Sequence, residues 1–210
     1  LIGVVNGLMV SVMGLPAFIA TLGTMMITRG FGSIVTGTAT VTFPQGDVAG
    51  AWFHNIFKFK TESLPAGIPT GFILLIVMAI IMAVILNKTR PGRYILALGS
   101  NKEATRLSGV NVVKWETLAY TFSGFFAALA GISYAAVYST LMPGTGNGFE
   151  LDAIAGVVIG GTSLSGGNGS ISGTLIGVFI MAVLKTGLPF VGLQPHYQLF
   201  ITGFVLIFAV

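Results

Sequence analysis

The chain has 210 residues, of which 54% are hydrophobic and only 8% are charged, against about a quarter charged in an ordinary soluble domain. Its mean hydropathy of +0.92 excludes a water-soluble globular protein and indicates a chain surrounded mostly by hydrocarbon. The absence of cysteine excludes disulfides, Cys-zinc sites and thiol nucleophiles, and the net charge of +4 matters mainly through the loops that carry it.

Both ends of the chain are apolar. The chain begins LIGVVNGLMV and ends FITGFVLIFAV, and neither run reaches the ~20 residues that cross a bilayer as a helix. It has no initiator methionine, no charged leader and no polar tail. We therefore expect residues 1–210 to form one transmembrane domain, incomplete at both ends, that is a fragment of a longer protein.

Three apolar stretches are candidate membrane segments. Residues 15–27 are apolar but short and precede Arg29, so they form either a short span or part of a bent one. Residues 68–86 carry no charge and residues 117–139 carry none either, and both are predicted to cross the membrane. Several small residues in the last stretch suit close helix packing in lipid: Gly124, Ala127, Ala128, Ala130 and Gly131.

Residues 87–116 form a basic connector between the last two stretches. It holds six of the ten Lys and Arg residues, which by the positive-inside rule makes it cytoplasmic. By parity, residues 38–67 are expected outside, where their aromatic side chains form an interfacial belt, a surface helix or a docking surface. The six basic residues are Lys88, Arg90, Arg93, Lys102, Arg106 and Lys114, and the aromatic ones are Trp52, Phe53, Phe57 and Phe59.

The basic connector contains the pattern of a short helix. Ser100 is a candidate N-cap, Glu103 would complete a capping box, and Gly109 can end the helix in a left-handed conformation. About two turns are marginal alone in water, so the membrane domain or a partner should hold the helix. Its apolar face is expected to comprise Ala104, Leu107 and Val110. The alternative is a basic loop lying on anionic lipid headgroups.

A glycine-rich segment, residues 160–173 with the sequence GGTSLSGGNGSISG, separates two apolar runs. No Lys lies between Lys114 and Lys185, which excludes a phosphate-binding P-loop, and the glycine spacing does not match the dinucleotide fingerprint. We interpret the segment as a break between two helical pieces, such as transport proteins use. The alternative is a connecting turn that only packs. The preceding residues 151–161 cover only about half a bilayer as a helix.

The residues of this break are expected to have two roles. Glycines permit tight turns and close backbone approach, while Ser and Asn side chains satisfy exposed backbone groups. The candidate residues of the break are Gly160, Gly161, Ser163, Gly166, Gly167, Asn168, Gly169 and Gly173, with Ser165 and Ser170 as further polar partners. Expected contact points between the flanking helices are Gly156, Gly160, Gly161, Gly173 and Gly177.

Few charges remain for chemistry. Glu150 and Asp152 precede an apolar run, where carboxylates favour a helix N-terminus over solute or proton binding. Arg29 and Lys185 are expected to reach the membrane interface. Since His54 and His196 are far apart and lack ligand neighbours, neither a metal site nor a catalytic residue is predicted. Polar candidates for a pore are Asn6, Thr21, Thr24, Ser123 and Tyr134.

Three stretches in this order carry a family resemblance: LPAFIATLGTMMITRG, RPGRYILALGSNKEATRLSGVNV and AIAGVVIGGTSLSGGNGSISGTLIG. The chain resembles the permease subunit of bacterial ABC importers of the ribose, xylose and galactose type. The resemblance implies a multi-pass protein of the bacterial cytoplasmic (inner) membrane. Its implied partners are a second permease copy, ABC ATPase subunits that bind ATP, and an extracytoplasmic sugar-binding protein. The ATPase-coupling loop then comprises Gly99, Asn101, Lys102, Glu103, Ala104, Arg106, Leu107 and Gly109.

The sequence therefore predicts an all-α, polytopic transmembrane bundle with interrupted helices. We expect a permease that passes a neutral monosaccharide inward, without being an enzyme, binding a cofactor itself or contacting nucleic acid. The scarcity of charge within the spans favours an uncharged solute, because ion coupling usually leaves ionisable residues inside the membrane. The alternatives are a secondary transporter of a small neutral solute and a membrane assembly protein without a substrate.

Overall fold

The computed structural model describes residues 1–43, 70–192 and 194–209. Within these ranges the chain is almost entirely helical, which confirms the predicted all-α class. The helices are α1 (Ile2–Ser11), α2 (Ala17–Thr36), α3 (Thr70–Lys88), α4 (Arg90–Ser100), α5 (Lys102–Leu107), α6 (Val112–Tyr138), α7 (Phe149–Ile159), α8 (Ile171–Phe190) and α9 (Pro195–Ala209). Two short strands, β1 (Val41–Thr42) and β2 (Thr140–Leu141), pair antiparallel with Val41 opposite Leu141.

Four of these helices are long and apolar enough to cross a membrane: α2, α3, α6 and α8. The helices α3 and α6 confirm the two spans predicted over residues 68–86 and 117–139. Residues 15–27, expected as a short span or as part of a bent one, belong mostly to α2, which reaches the length of a full span because it continues through Arg29 to Thr36. No proline interrupts it, and it ends where Gly37 adopts a left-handed conformation with φ of 59°. Arg29 is therefore an exposed residue inside the helix.

The described residues form two compact units, Leu1–Met78 with Asn111–Thr145, and Ala79–Val110 with Gly146–Val210. In both, the buried apolar residues are few and mostly small: Ala20, Ala135, Ala136, Ala155, Val158 and Met181. Large apolar side chains such as Phe18 and Phe31 are exposed. This distribution is what lipid as a solvent requires, since helices in a bilayer associate through close packing rather than by burying large apolar surfaces.

In the first unit, α1 packs directly on α6 through glycines. A Cβ built on Gly3 would lie 2.5 Å from the Tyr120 carbonyl oxygen, and one built on Gly7 would lie 2.7 Å from the Thr117 Cα. Gly124 faces Gly3 from the α6 side, and a Cβ built on Gly124 would lie 2.8 Å from the Gly3 Cα. The first apolar run, which the sequence left unassigned, is thus a helix held by backbone-to-backbone packing.

The polar pore candidates in this unit differ in their hydrogen-bond partners. The Thr24 hydroxyl donates to the Asn6 side-chain oxygen at 2.8 Å. The Thr21 hydroxyl donates to the Ala17 carbonyl in its own helix at 2.9 Å. Ser123 is exposed, and Tyr134 stacks on Tyr138 with ring centroids 4.4 Å apart. These pore candidates are therefore distributed over three helices, and two of them bind each other.

Some predictions fall on residues that the structure does not describe. The aromatic residues Trp52, Phe53, Phe57 and Phe59 and the first histidine, His54, lie outside the described ranges. The second histidine, His196, is exposed in α9. Among the described residues, no group of three His, Cys, Asp or Glu is placed to hold a metal ion.

Substituting Gly3→Ala should destabilise the full-length protein, because the new methyl meets the α6 backbone. Forced overpacking of this kind costs about 1 to 3 kcal/mol, and it outweighs the gain of up to about 1 kcal/mol that Ala brings to a helix. The measurement is the thermal unfolding midpoint in detergent. Gly23→Ala is the matched control, since a Cβ at Gly23 in α2 meets nothing within 4 Å. Equal midpoints for the two variants would contradict the packing of α1 on α6.

Candidate functional site

The basic connector folds as α4 and α5. A tight turn at Thr89 joins α4 to α3, and Pro91 lies in the first turn of α4, where its missing N–H does no harm. Gly92 is required at this turn, since a Cβ there would overlap the Leu86 carbonyl oxygen. The helix then runs to Ser100 with Arg93 exposed and Tyr94 half-buried. The α4 helix is thus fixed closely against the end of α3.

The cap of α5 differs from the prediction by one residue. Ser100 is the last residue of α4 and does not cap α5. Instead Asn101 adopts an extended conformation, and its side-chain oxygen accepts a hydrogen bond from the Ala104 N–H at 2.9 Å. The capping box predicted for Glu103 is therefore not formed, because α4 continues one residue further than the pattern suggested. Gly109 ends the helix at φ of 79°, in the left-handed conformation expected of it.

Most of α5 is exposed. Only Thr105 is buried, and its hydroxyl donates to the Asn101 carbonyl at 2.8 Å. The predicted apolar face is largely uncovered, since Leu107 is 87% exposed, Ala104 is exposed and Val110 is half-buried. A groove of about 370 Å³ lies beside the helix, lined by Tyr94, Ala97, Ser100, Asn101, Ala104, Thr105, Ser108 and Val110. The outward surface of α5 is therefore uncovered by the rest of its compact unit.

Charge is distributed along α5 in agreement with its dipole. Glu103 lies in the first turn and Arg106 in the last, where an acidic and a basic side chain respectively are favourable. Lys102 is exposed beside them. The outward surface of α5 therefore carries both signs of charge around one exposed apolar side chain.

The glycine-rich segment is a break between α7 and α8. The α7 helix ends at Ile159, and α8 begins at Ile171. Across the gap, the Ser163 N–H donates to the Asn168 carbonyl at 3.1 Å. The Ser170 side chain caps α8 by accepting from the Gly173 N–H at 3.1 Å. The Ser163 side chain also accepts from the Ser165 N–H at 3.2 Å. The prediction that serine side chains satisfy backbone groups is thus confirmed for Ser163 and Ser170, whereas Asn168 takes part through its main-chain carbonyl.

Glycines in this region serve two different purposes. Gly161, Gly166 and Gly167 have φ of 81°, 86° and 77°, so they allow the turn itself. Gly160 and Gly177 allow α7 and α8 to touch, since a Cβ on either would lie 2.7 Å or less from backbone of the other helix. The remaining contact points are Gly156 and Gly173. The prediction that Gly161 is a helix contact was wrong, since a Cβ there meets nothing within 4 Å.

The two candidate motifs meet at Gly99. Both lie in the same compact unit. A Cβ on Gly99 would lie 3.2 Å from the Gly166 Cα and would overlap the Gly167 N–H, while one on Gly167 would lie 2.8 Å from the Ser100 Cα. A groove of about 380 Å³ beside this contact is lined from α4 by Ile95, Leu96 and Gly99 and, across from them, by residues of the glycine-rich segment. No local pattern relates the two motifs in the sequence, where they share only their glycine content.

One ion pair joins α7 to α8 at the end of the hairpin away from the break. The Lys185 Nζ pairs with the Asp152 Oδ2, and the two side chains are 47% and 27% exposed. Glu150 and Asp152 lie in the first turn of α7, as predicted for carboxylates at a helix N-terminus. Lys185, predicted to reach the membrane interface, is half-exposed, and it also pairs with a carboxylate that the sequence did not assign to it.

Comparison with known proteins places these features in a family. The family model described as branched-chain amino acid transport system, permease component, matches residues 1–210. The chain is 41% identical over 209 residues to the ribose import permease protein of Escherichia coli (strain K12), covering 100% of this chain and 64% of that protein. None of the solved structures matches the chain with significance.

Two further relatives extend the comparison. The chain is 38% identical over 206 residues to the ribose import permease protein of Bacillus subtilis (strain 168), covering 98% of this chain and 62% of that protein. It is 37% identical over 220 residues to the galactose/methyl galactoside import permease protein of Salmonella typhimurium, covering 100% of this chain and 62% of that protein. The chain thus spans 62% to 64% of the length of these three relatives.

Substituting Asn101→Ala should loosen α5, because the Ala104 N–H loses its acceptor. Loss of such a cap costs about 1 kcal/mol, which corresponds to roughly fivefold faster hydrogen exchange. The measurement is amide exchange of the peptide covering residues 102–108 by mass spectrometry. Asn101→Asp, which retains the acceptor, is the control and should exchange at the wild-type rate. Equal exchange in Asn101→Ala and wild type would show that the cap does not hold the helix.

The pair of Asp152 and Lys185 should show a measurable coupling energy. In a double-mutant cycle with Asp152→Leu and Lys185→Met, each single variant leaves one charge without its partner, whereas the double variant leaves none. We expect the free energies of unfolding in detergent to deviate from additivity by about 1 kcal/mol. The double variant should lose less stability than the two single variants lose when their losses are added. Additive effects would show that the pair does not form in the folded protein.

Proposed function

The chain belongs to the family of permease components of branched-chain amino acid transport systems, and we propose that it is the membrane-spanning subunit of an ATP-driven ABC importer. Its solute is a ribose-, xylose- or galactose-like monosaccharide carried into a bacterial cell across the cytoplasmic (inner) membrane. The support for a sugar comes from relatives named for ribose and galactose import that match the whole chain or nearly all of it.

The distribution of charge supports an uncharged solute. The α3 helix carries no charged residue before Lys88, and α6 carries none after Glu116. An amino acid brings one ammonium and one carboxylate, and in a low-dielectric path each needs a charged or strongly polar partner. A sugar needs hydrogen-bonding groups instead, which the threonine, serine and tyrosine side chains of these helices offer. The helices α3 and α6 therefore fit a monosaccharide better than a zwitterion.

The single observation that carries the proposal is the form of α5. It is a separate helix of six residues, capped by Asn101 and ended at Gly109, that exposes Glu103, Arg106 and Leu107. A short helix with so little of its surface buried does not stabilise the membrane domain to which it is attached. Its rigid caps and mixed charges instead fit a docking element for a separate ATPase subunit in the cytoplasm.

The remaining partners are proposed from the family to which the chain belongs. ATP binds and is hydrolysed on the docked subunit, so this chain binds no cofactor and performs no covalent chemistry. A second permease copy completes the pore, and an extracytoplasmic binding protein delivers the sugar. Closure of the ATPase pair moves the residues around α5, and the attached spans then alternate between outward- and inward-facing states. Membrane lipid surrounds the exposed apolar side chains.

Reversing one charge on α5 should weaken ATPase association. In the full-length permease coexpressed with its ATPase, Arg106→Glu is expected to reduce the co-purified ATPase roughly tenfold, because a surface complementary to the positive charge of Arg106 would no longer match it. Uptake of labelled sugar should fall with it. The control is Arg93→Glu, which makes the same charge reversal on an exposed residue of α4 in the same connector. Wild-type association and uptake in Arg106→Glu would overturn docking at α5.

The energy source separates this function from secondary transport. Uptake by the wild-type system should stop when cellular ATP is depleted and should persist when the ion gradients are collapsed with ionophores. The opposite pattern would identify an ion-coupled transporter and reject the ATP-driven proposal. Competition of labelled ribose uptake by xylose, galactose and leucine then assigns the class of solute.

A further inference from the structure

We propose that the contact of Gly99 with Gly166 and Gly167 is the joint that transmits movement of α5 to the hairpin of α7 and α8. This inference rests on the proposed docking of an ATPase at α5. It gives a role to the glycine-rich segment, which the proposed function leaves without one. It also makes Gly99 a positioning residue, acting through its neighbours rather than on the solute.

The contact itself is stiff because its nearest atoms are backbone and the Ser100 Cβ, which no change of side-chain rotamer moves. Built Cβ atoms on Gly166 and Gly167 would lie 3.0 Å from the Gly99 Cα and 2.8 Å from the Ser100 Cα. No side chain separates the two segments, so no change of rotamer can absorb a displacement of one against the other. Interfaces packed this tightly shift as units rather than deform continuously.

On one side, the joint continues into α5 through a single residue. Asn101 closes α4 by donating its N–H to the Ala97 carbonyl at 3.0 Å, and its side chain caps α5. The Asn101 carbonyl accepts from both the N–H and the hydroxyl of Thr105, at 3.1 and 2.8 Å. Asn101 therefore takes part in four hydrogen bonds, and these couple the end of α4 to α5.

On the other side, the joint continues into the hairpin. The glycine-rich segment is closed on itself by the bond from the Ser163 N–H to the Asn168 carbonyl and is fixed to α8 by the Ser170 cap. The two helices then touch at four glycines, two on each: Gly156, Gly160, Gly173 and Gly177. A displacement of the segment therefore moves α7 and α8 together.

The test replaces Gly99→Ala in the full-length permease, reconstituted in proteoliposomes with its ATPase and its sugar-binding protein. The added methyl overlaps the Gly167 N–H and forces the joint apart. We expect the sugar transported per ATP hydrolysed to fall at least about fivefold, the lower range of allosteric coupling; this ratio distinguishes a broken joint from weakened ATPase docking, which lowers transport and hydrolysis together. The matched control is Gly187→Ala in α8, where a Cβ meets nothing within 4 Å.

A second measurement uses only the wild-type protein and covers the case in which Gly99→Ala does not fold. Binding of the ATPase with a non-hydrolysable ATP analogue should change amide exchange in two peptides, one covering residues 102–108 and the other residues 161–169. A change confined to residues 102–108 would overturn the joint, and so would a Gly99→Ala variant that transports as Gly187→Ala does. Failure of the wild type to bind the ATPase would instead reject the proposed function.

Discussion

Close approach of backbone to backbone at glycine is the constraint on which this structure depends. Lipid tails are as apolar as leucine, so burying large side chains gives no advantage, and helices associate where small residues let them touch. Gly3 and Gly7 serve this purpose between α1 and α6, and Gly160 and Gly177 serve it between α7 and α8. The exposed phenylalanines and leucines of the same helices are the outer surface that lipid requires.

The same constraint organises the candidate site. Gly99 in the basic connector meets the glycine-rich segment without intervening side chains. Local hydrogen bonds hold the polar groups around it, namely the caps at Asn101 and Ser170 and the backbone bond between Ser163 and Asn168. Because both partners of each bond lie close together in the chain, the bonds can move with the segment rather than break.

The sequence is informative where composition alone decides the structure. Uninterrupted apolar runs predict α3 and α6, and six basic residues mark the connector. The glycine-rich segment and its serine partners follow from turn chemistry. Boundaries are harder, because the Ser100 and Asn101 positions both suit a cap and only the length of α4 decides between them. Partners distant in sequence are harder still, because no local pattern relates Gly99 to Gly167 or Asp152 to Lys185.

The short length of α7 has a consequence for the path through the membrane. Its 11 residues reach at most ~16 Å from the glycine-rich segment, about half of a hydrocarbon core ~30 Å thick. If the basic connector and the glycine-rich segment that it touches lie at the inner surface, then α7 begins, at Phe149, near the bilayer midplane. There Gly146 and Gly148, with φ of 87° and 88°, place irregular backbone at a depth that only protein or water can solvate. A wet vestibule reaching halfway through the membrane from outside would meet that requirement.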